Sequence, residues 1–305
     1  MAKVPKKFDL LIIGSGPAGE AAAMNSAKAG KKVGIISDKT NVGGNCTYLG
    51  TIPSKSIRHS VKQVIQFHAN PLLRDLGKLK KLTFQQALKQ ADRVMIKQGK
   101  SRLDAYERNY IPVIQGTARF IDKHQVQVES GKSKTILCAE KIIIATGARP
   151  YRPEDVDFSH PLVFDSDSIL ELKHSPKKVT IFGAGVVGCE YASIFAGMKM
   201  KVELINPAES LLSFLDTEIT DALSYHLYNM GGRCRHQEQF SKLEYHEDHV
   251  VIYLESGKKI KSDILLWANG RTGNTDTLNL EAIGLEADSR GTLKVDKEYR
   301  TSVDS

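Results

Sequence analysis

The residues with the clearest chemical meaning form two glycine-rich turns of one pattern. Gly14-Ser15-Gly16-Pro17-Ala18-Gly19 and Gly183-Ala184-Gly185-Val186-Val187-Gly188 each follow an apolar run and open a stretch suited to a helix. In a GxGxxG turn the first glycine makes the tight bend. The second lets the backbone approach a pyrophosphate, and the third lets strand and helix pack closely. The helix that starts there offers free N–H groups and the positive end of its dipole to the phosphates. A tight β-α turn without a ligand can share this pattern, so one copy is weak evidence. Two copies in the same context imply two dinucleotide sites and electron traffic between two cofactors.

The residue that ends the second strand of such a unit reads the adenosine ribose, and an acidic side chain there favours NAD or FAD over a 2′-phosphorylated nucleotide. Ser37, followed by Asp38, lies 23 residues after Gly14, and Asn206 lies 23 after Gly183. A neutral Asn206 neither repels a 2′-phosphate nor strongly rewards a free hydroxyl. The second site is therefore open to NAD and NADP, unless a neighbouring group decides. The loop Pro207-Ala208-Glu209-Ser210 holds no Arg to clamp a 2′-phosphate, and Glu209 opposes one.

These turns need strands and helices to hold them. Residues 8–13 read as a buried strand, 17–30 as a helix and 33–37 as a strand, and the order returns at 178–182, 186–198 and 201–205. A third correspondence sets Ile144-Ala145-Thr146-Gly147-Ala148-Arg149 against Leu266-Trp267-Ala268-Asn269-Gly270-Arg271. Residues 46–68 read as a loop entering a helix and 84–109 as a long helix. Residues 117–138 and 239–261 alternate apolar and polar side chains as β-meanders do. The prolines between 150 and 161 mark a crossover linker. The expectation is an α/β fold with two Rossmann-like three-layer domains, each with a β-meander, the second inserted into the first. The boundaries fall at 1–152 for the first domain, 153–276 for the second and 277–305 for a partial return to the first.

Composition narrows the function classes. The chain has 305 residues, 41% of them hydrophobic, and a formal net charge of +8. No block of Lys and Arg interleaved with aromatics marks a nucleic-acid surface, and a solvated basic face accounts for the charge. The apolar runs fall far short of the ~20 residues of a membrane helix, and the basic start Met1–Lys7 runs into a strand rather than a signal sequence. A cytoplasmic protein without membrane or nucleic-acid partners is expected. Cys46, Cys138, Cys189 and Cys234 contain no CxxC pair, which argues against a zinc site or a disulfide framework.

Between the two turns lies Gly43-Gly44-Asn45-Cys46-Thr47-Tyr48-Leu49-Gly50-Thr51-Ile52-Pro53-Ser54-Lys55. This segment resembles the redox motif of the pyridine nucleotide–disulfide oxidoreductases, the family of dihydrolipoamide dehydrogenase and glutathione reductase. That family places two cysteines at the positions of Cys46 and Thr51. A threonine hydroxyl forms no disulfide and is no thiolate near neutral pH, so chemistry on the usual dithiol is unavailable. Within the family the departure is similar to the soluble pyridine nucleotide transhydrogenases. The likeness extends to Glu107-Arg108-Asn109, Asp155-Val156-Asp157-Phe158, Tyr191-Ala192-Ser193-Ile194-Phe195 and Asn269-Gly270-Arg271-Thr272-Gly273-Asn274-Thr275-Asp276.

The resemblance implies FAD at the first site, with Gly43, Gly44, Thr146 and Gly147 around it, and NAD(H) or NADP(H) at the second, with Gly270 and Arg271 near it. It also puts Lys55, paired with Glu190, beside the flavin. Cys46 reads as a small buried residue under the flavin, or as a reactive thiol if it starts a helix. The implied reaction is hydride transfer between NADH and NADP+, or NADPH and NAD+, through one shared nicotinamide site. An NAD(P)H-dependent diaphorase or flavin reductase and an inactive nucleotide-binding fragment are the rival readings. Relatives are expected to continue into a second FAD-contacting segment and a C-terminal domain that forms a homodimer.

Overall fold

The computed structural model describes residues 6–72 and 82–304, so most of the basic start lies outside the described residues. Contacts divide the chain into two compact units. Unit 1 comprises Met1–Tyr48, Met95–Arg149 and Arg271–Ser305, and unit 2 comprises Leu49–Val94 and Pro150–Gly270.

Unit 1 begins with β1 (Lys6–Ile13), α1 (Pro17–Lys28), β2 (Val33–Ser37) and the short helix α2 (Gly44–Tyr48). Helix α3 (Thr51–Ala69) and the first part of α4 (Phe84–Arg108) belong to unit 2, and α4 from Met95 onwards belongs to unit 1. Next come β3 (Val113–Gln115), β4 (Thr117–Asp122), β5 (Gln125–Ser130) and β6 (Ser133–Ile144). They form one six-stranded sheet in the order β3-β2-β1-β6-β5-β4. The pairs β2–β3, β1–β2 and β1–β6 are parallel, while β5 and β4 add antiparallel, as the meander expectation requires. Alternation along β1 sends its side chains to two cores. Leu11 and Ile13 pack with Phe120, Val126, Leu137, Leu278 and Leu280, and Leu10 and Ile12 pack with Ala23, Ile35 and Tyr106. Burial on both faces explains why residues 10–13 read as an unbroken apolar run.

A two-stranded pair joins β7 (Ala148–Pro150) to β16 (Arg271–Gly273). Unit 2 is built on β8 (Val163–Asp165), β9 (Lys178–Phe182), α5 (Val186–Gly197), β10 (Lys201–Asn206), α6 (Thr217–Asn229), β11 (Gly232–His236) and β15 (Ile264–Trp267). Its five-stranded parallel sheet runs β11-β10-β9-β15-β8. The meander β12 (Phe240–Tyr245), β13 (Val250–Leu254) and β14 (Lys259–Ser262) is a separate antiparallel sheet. One continuous core runs through unit 2 and takes in Ile57, Val61 and Phe84 from α3 and α4. Helices α3 and α5 approach closely at Gly197, where an added Cβ would lie 2.7 Å from Val61.

Two details depart from the sequence expectation. The segment 46–68 is no loop at its start. Residues 44–48 already form a helical turn, and α3 begins at Thr51 with Pro53 in its first turn, where a missing N–H costs no intrahelical bond. The linker after residue 150 also contributes β8 to the edge of the parallel sheet.

Candidate functional site

The two glycine turns are built alike. Gly14 N–H donates to Ile36 O at 2.8 Å and Gly183 N–H to Ile205 O at 2.9 Å. Ala145 N–H donates to Ile13 O, and Ala268 N–H donates to Phe182 O. The first glycines have φ +114° and +105°. A Cβ on Gly14 would lie 2.2 Å from Ala145 O, and one on Gly183 2.6 Å from Ala268 O. Third glycines are equally confined, with Cβ positions 2.0 Å (Gly19) and 1.8 Å (Gly188) from the carbonyl oxygens of Gly14 and Gly183.

The second glycines differ. Gly16 and Gly185 have φ −72° and −75°, values open to any residue. A Cβ on Gly16 would meet nothing nearer than Gly44 Cα at 4.0 Å, and one on Gly185 would meet nothing within 4 Å. No protein neighbour within that distance demands a glycine at either place. Each is the N-cap of its helix, and neither helix receives a side-chain cap hydrogen bond. Elsewhere the chain does cap a helix, since the Asp216 carboxylate accepts from Glu218 N–H at the start of α6. Two uncapped helix starts with open space at the second glycine fit the pyrophosphates of two dinucleotides.

Around the first turn, the Ser37 hydroxyl is buried, 3.0 Å from the Ser15 hydroxyl, and also donates to Lys39 O. Asp38 is exposed beside it. Gly43 N–H donates to Ser15 O, and a Cβ on Gly44 would lie 2.7 Å from Gly16 Cα, so these glycines bring the second loop onto the first. Thr146 and Gly147 follow β6 against Gly14, and Asn274 fixes them by donating from its side chain to Thr146 O and from its backbone to Gly147 O. Cys46 is half-buried in α2, and it, Cys138, Cys189 and Cys234 are free thiols.

Sequence reasoning missed a polar brace under α1. Glu20 in the first turn accepts from Arg102 Nε at 2.8 Å, and the same guanidinium donates to Gln98. Burial, then the nearby Glu20 charge, pushes the Tyr106 phenol up to about 12, against the opposing pull of Arg102. An acidic residue right after Gly19 was the available signal; its partner 82 residues on was not.

In unit 2, Lys55 Nζ donates to Glu190 Oε1 at 2.6 Å, with the lysine exposed and the carboxylate largely covered. Thr51 is exposed at the start of α3. Asn206 is buried, and both hydrogens of its amide are engaged. Its Nδ2 lies 2.8 Å from Ser210 O and 3.2 Å from His236 Nδ1, and its Oδ1 accepts from Ala208 N–H. Gly270, at φ +101°, ends unit 2 and accepts from Tyr151 N–H. Arg271 belongs to unit 1 and donates to Ala148 O, which also accepts from Asn45. Burial, together with the neighbouring Cys234, pushes the Cys189 thiol up to about 12.

Two Rossmann-type units, each with a glycine turn that opens a helix, define a dinucleotide-binding class of protein, with Thr51 in the segment between the turns. The chain belongs to the pyridine nucleotide-disulphide oxidoreductase family, whose pattern matches residues 8–305. It is 54% identical over 298 residues to the soluble pyridine nucleotide transhydrogenase of Hahella chejuensis and 53% identical to those of Azotobacter vinelandii and Pseudomonas aeruginosa. Each match takes in 97% of this chain and 64% of the relative, so the chain spans somewhat under two thirds of their length. Among solved structures it is similar to the HOCl-induced flavoprotein disulfide reductase RclA from Escherichia coli. The TM-score is 0.84 at 30% identity, covering 97% of this chain and 64% of that one. The Cu(II) complex of the same reductase gives 0.85 at 30% identity, covering 98% of this chain and 64% of that one. No described helix is long and apolar enough to cross a membrane.

Proposed function

We propose that the chain handles both dinucleotides in a flavoprotein that transfers hydride between NAD(H) and NADP(H). The observation that carries this reading is the pair of uncapped helix starts, each with open space at its second glycine, in a chain with Thr51 at the second cysteine position. The relatives' names support it.

FAD, when bound, supplies a reversible two-electron hydride acceptor. We assign its pyrophosphate to Gly14, Gly16 and Gly19, its adenosine ribose to Ser37 and Asp38, and its further cover to Gly43, Gly44, Cys46, Thr146 and Gly147. Gly183, Gly185 and Gly188 would hold the nicotinamide dinucleotide, with Asn206 at its ribose and Gly270 and Arg271 at the rim. Residues 1–152 and 277–305 would then form the FAD-binding domain and 153–276 the NAD(P)-binding domain. Lys55 and Glu190 are the charge pair assigned to the reacting centre. Their role is electrostatic, because a lysine held by a carboxylate keeps its charge in a fixed place.

With one nicotinamide site used in turn by donor and acceptor, transfer follows ping-pong kinetics. The test begins with an absorbance spectrum of the purified chain in the presence of FAD, followed by anaerobic NADH. A flavin spectrum that bleaches is expected, then parallel double-reciprocal plots for NADH and an NADP+ analogue. Intersecting plots would sink the shared site. Dye reduction without transfer between nucleotides would favour the diaphorase reading, and a colourless protein would favour the inactive fragment. We place the reaction in the cytoplasm and assign homodimer contacts to the part of the relatives outside the matched region; sedimentation of chain and full-length relative side by side tests the latter.

A further inference from the structure

We propose that His236 reads the 2′ position of the adenosine ribose at the second nucleotide site and supplies the donor that a 2′-phosphate requires. The inference rests on reading residues 183–206 as a nicotinamide dinucleotide site.

Few hydrogen-bond donors stand free at the ends of β10 and β11. These strands pair in register, with Asn206 opposite His236, so both side chains stand at the carboxyl edge of the parallel sheet. That edge is where a Rossmann-like unit meets the ribose. An asparagine amide has two donor hydrogens and one acceptor oxygen. Here the hydrogens go to Ser210 O and His236 Nδ1, and the oxygen accepts from Ala208 N–H. Flipping the amide would set oxygen against oxygen at Ser210 and N–H against N–H at Ala208, so this network fixes its orientation. Asn206 keeps a lone pair for a ribose hydroxyl and has no hydrogen left for a phosphate.

The same logic fixes the imidazole. Because Asn206 Nδ2 only donates, His236 Nδ1 must accept, and the neutral ring carries its proton on Nε2. The Nε2–H has no protein partner among the described residues, and the ring is half-buried. Of the two side chains, only the imidazole has a free donor. In the adjoining loop Pro207 has no N–H, and Ala208 has given its own to Asn206. The nearby Glu238 carboxylate is already held by Lys258 and Ser256. A hydrogen bond to an ionised phosphate is roughly twice as strong as one to a neutral hydroxyl. Loss of this donor therefore weighs more on NADPH than on NADH.

The test is direct binding to the chain, followed by fluorescence of its single tryptophan. Trp267 stacks on Phe182, the residue before Gly183, with ring centroids 4.4 Å apart. NADPH and NADH are titrated into wild type, His236→Ala, His236→Met and His236→Gln. The expected result for the Ala and Met variants is a loss of about tenfold in NADPH affinity and of about threefold or less in NADH affinity, given the strength of charge-assisted bonds. Gln can accept from Asn206 and still donate, so it should retain NADPH binding. Equal losses for both nucleotides, or no loss for either, overturn the proposal while leaving the nucleotide site standing. Wild type that binds neither nucleotide overturns the site and the proposal together. The Met variant fills the imidazole's space and keeps the comparison available if Ala does not fold.

Discussion

Gly16 and Gly185 are glycines that the fold does not ask for, and this separates ligand binding from stability residue by residue. Gly16→Ala and Gly185→Ala should lower the melting temperature by only about 2–4 °C, because Ala is a poorer N-cap than Gly but meets no close neighbour. They should also weaken dinucleotide binding at the turn concerned at least tenfold; thermal melts and titrations with FAD and NADH check both halves. Gly14→Ala and Gly183→Ala should do the reverse. Their positive φ alone costs about 1–3 kcal/mol, and the overlap with Ala145 O or Ala268 O adds to it. Lys55→Met should cost little stability, because the lysine is exposed, yet should slow anaerobic bleaching of the flavin by NADH. An unchanged bleaching rate would remove the pair from the reacting centre. Sequence spacing made both glycine turns and the place of Asn206 legible, because each lies in one short stretch. It could not reveal that the Asn206 amide is spent on Ser210, Ala208 and His236, since His236 reaches it only through strand pairing 30 residues later.

Elements carry a second kind of dependence, on pH. At the end of β8, burial alone would push the Asp165 carboxyl up. The Ser168 N–H, the Arg152 guanidinium and the Asp167 N–H together outweigh burial and hold it below the usual carboxylate range. A carboxylate with a depressed folded-state value stabilises fully above its unfolded value of about 3.9, and the contribution fades as pH falls through the lower folded value. Asp165→Asn should therefore lower the melting temperature at pH 7 and flatten its dependence on pH below about 4; melts from pH 7 to pH 3 show whether the slope changes. The Arg102–Glu20 bond ties α4 to the start of α1, so Arg102→Gln should loosen that helix start. Faster hydrogen exchange at residues 17–23 is the expected signature. The strands and helices themselves were readable from periodicity, including both meanders. The exceptions include β3, β8, β11, α6 and the turn of α2; of these, all but α6 are short segments whose backbone is fixed by tertiary neighbours rather than by pattern.

At the scale of the whole molecule, each unit has its own core and its own glycine turn. FAD should therefore protect residues 14–19 from hydrogen exchange, and NADH residues 183–188. Protection of both turns by either nucleotide alone would contradict the assignment of one cofactor to each. Contacts place residues 49–94 with unit 2 even though they follow the first β-α-β run in sequence. Nothing in their composition announces this, because Ile57, Val61 and Phe84 only show where they belong once α5 is beside them.

The interleaving of the chain also sets an order of events during synthesis. Unit 2 has all its residues once Gly270 has left the ribosome, whereas the core of unit 1 still lacks Leu278, Leu280 and Leu285, and β7 lacks β16. At about 5–20 residues per second, the stretch from Arg271 to Leu285 takes roughly 1–3 s to appear. For that interval a nascent chain carries every residue of unit 2 while the core of unit 1 still has an open apolar face. That interval is when a chaperone would find the most to hold.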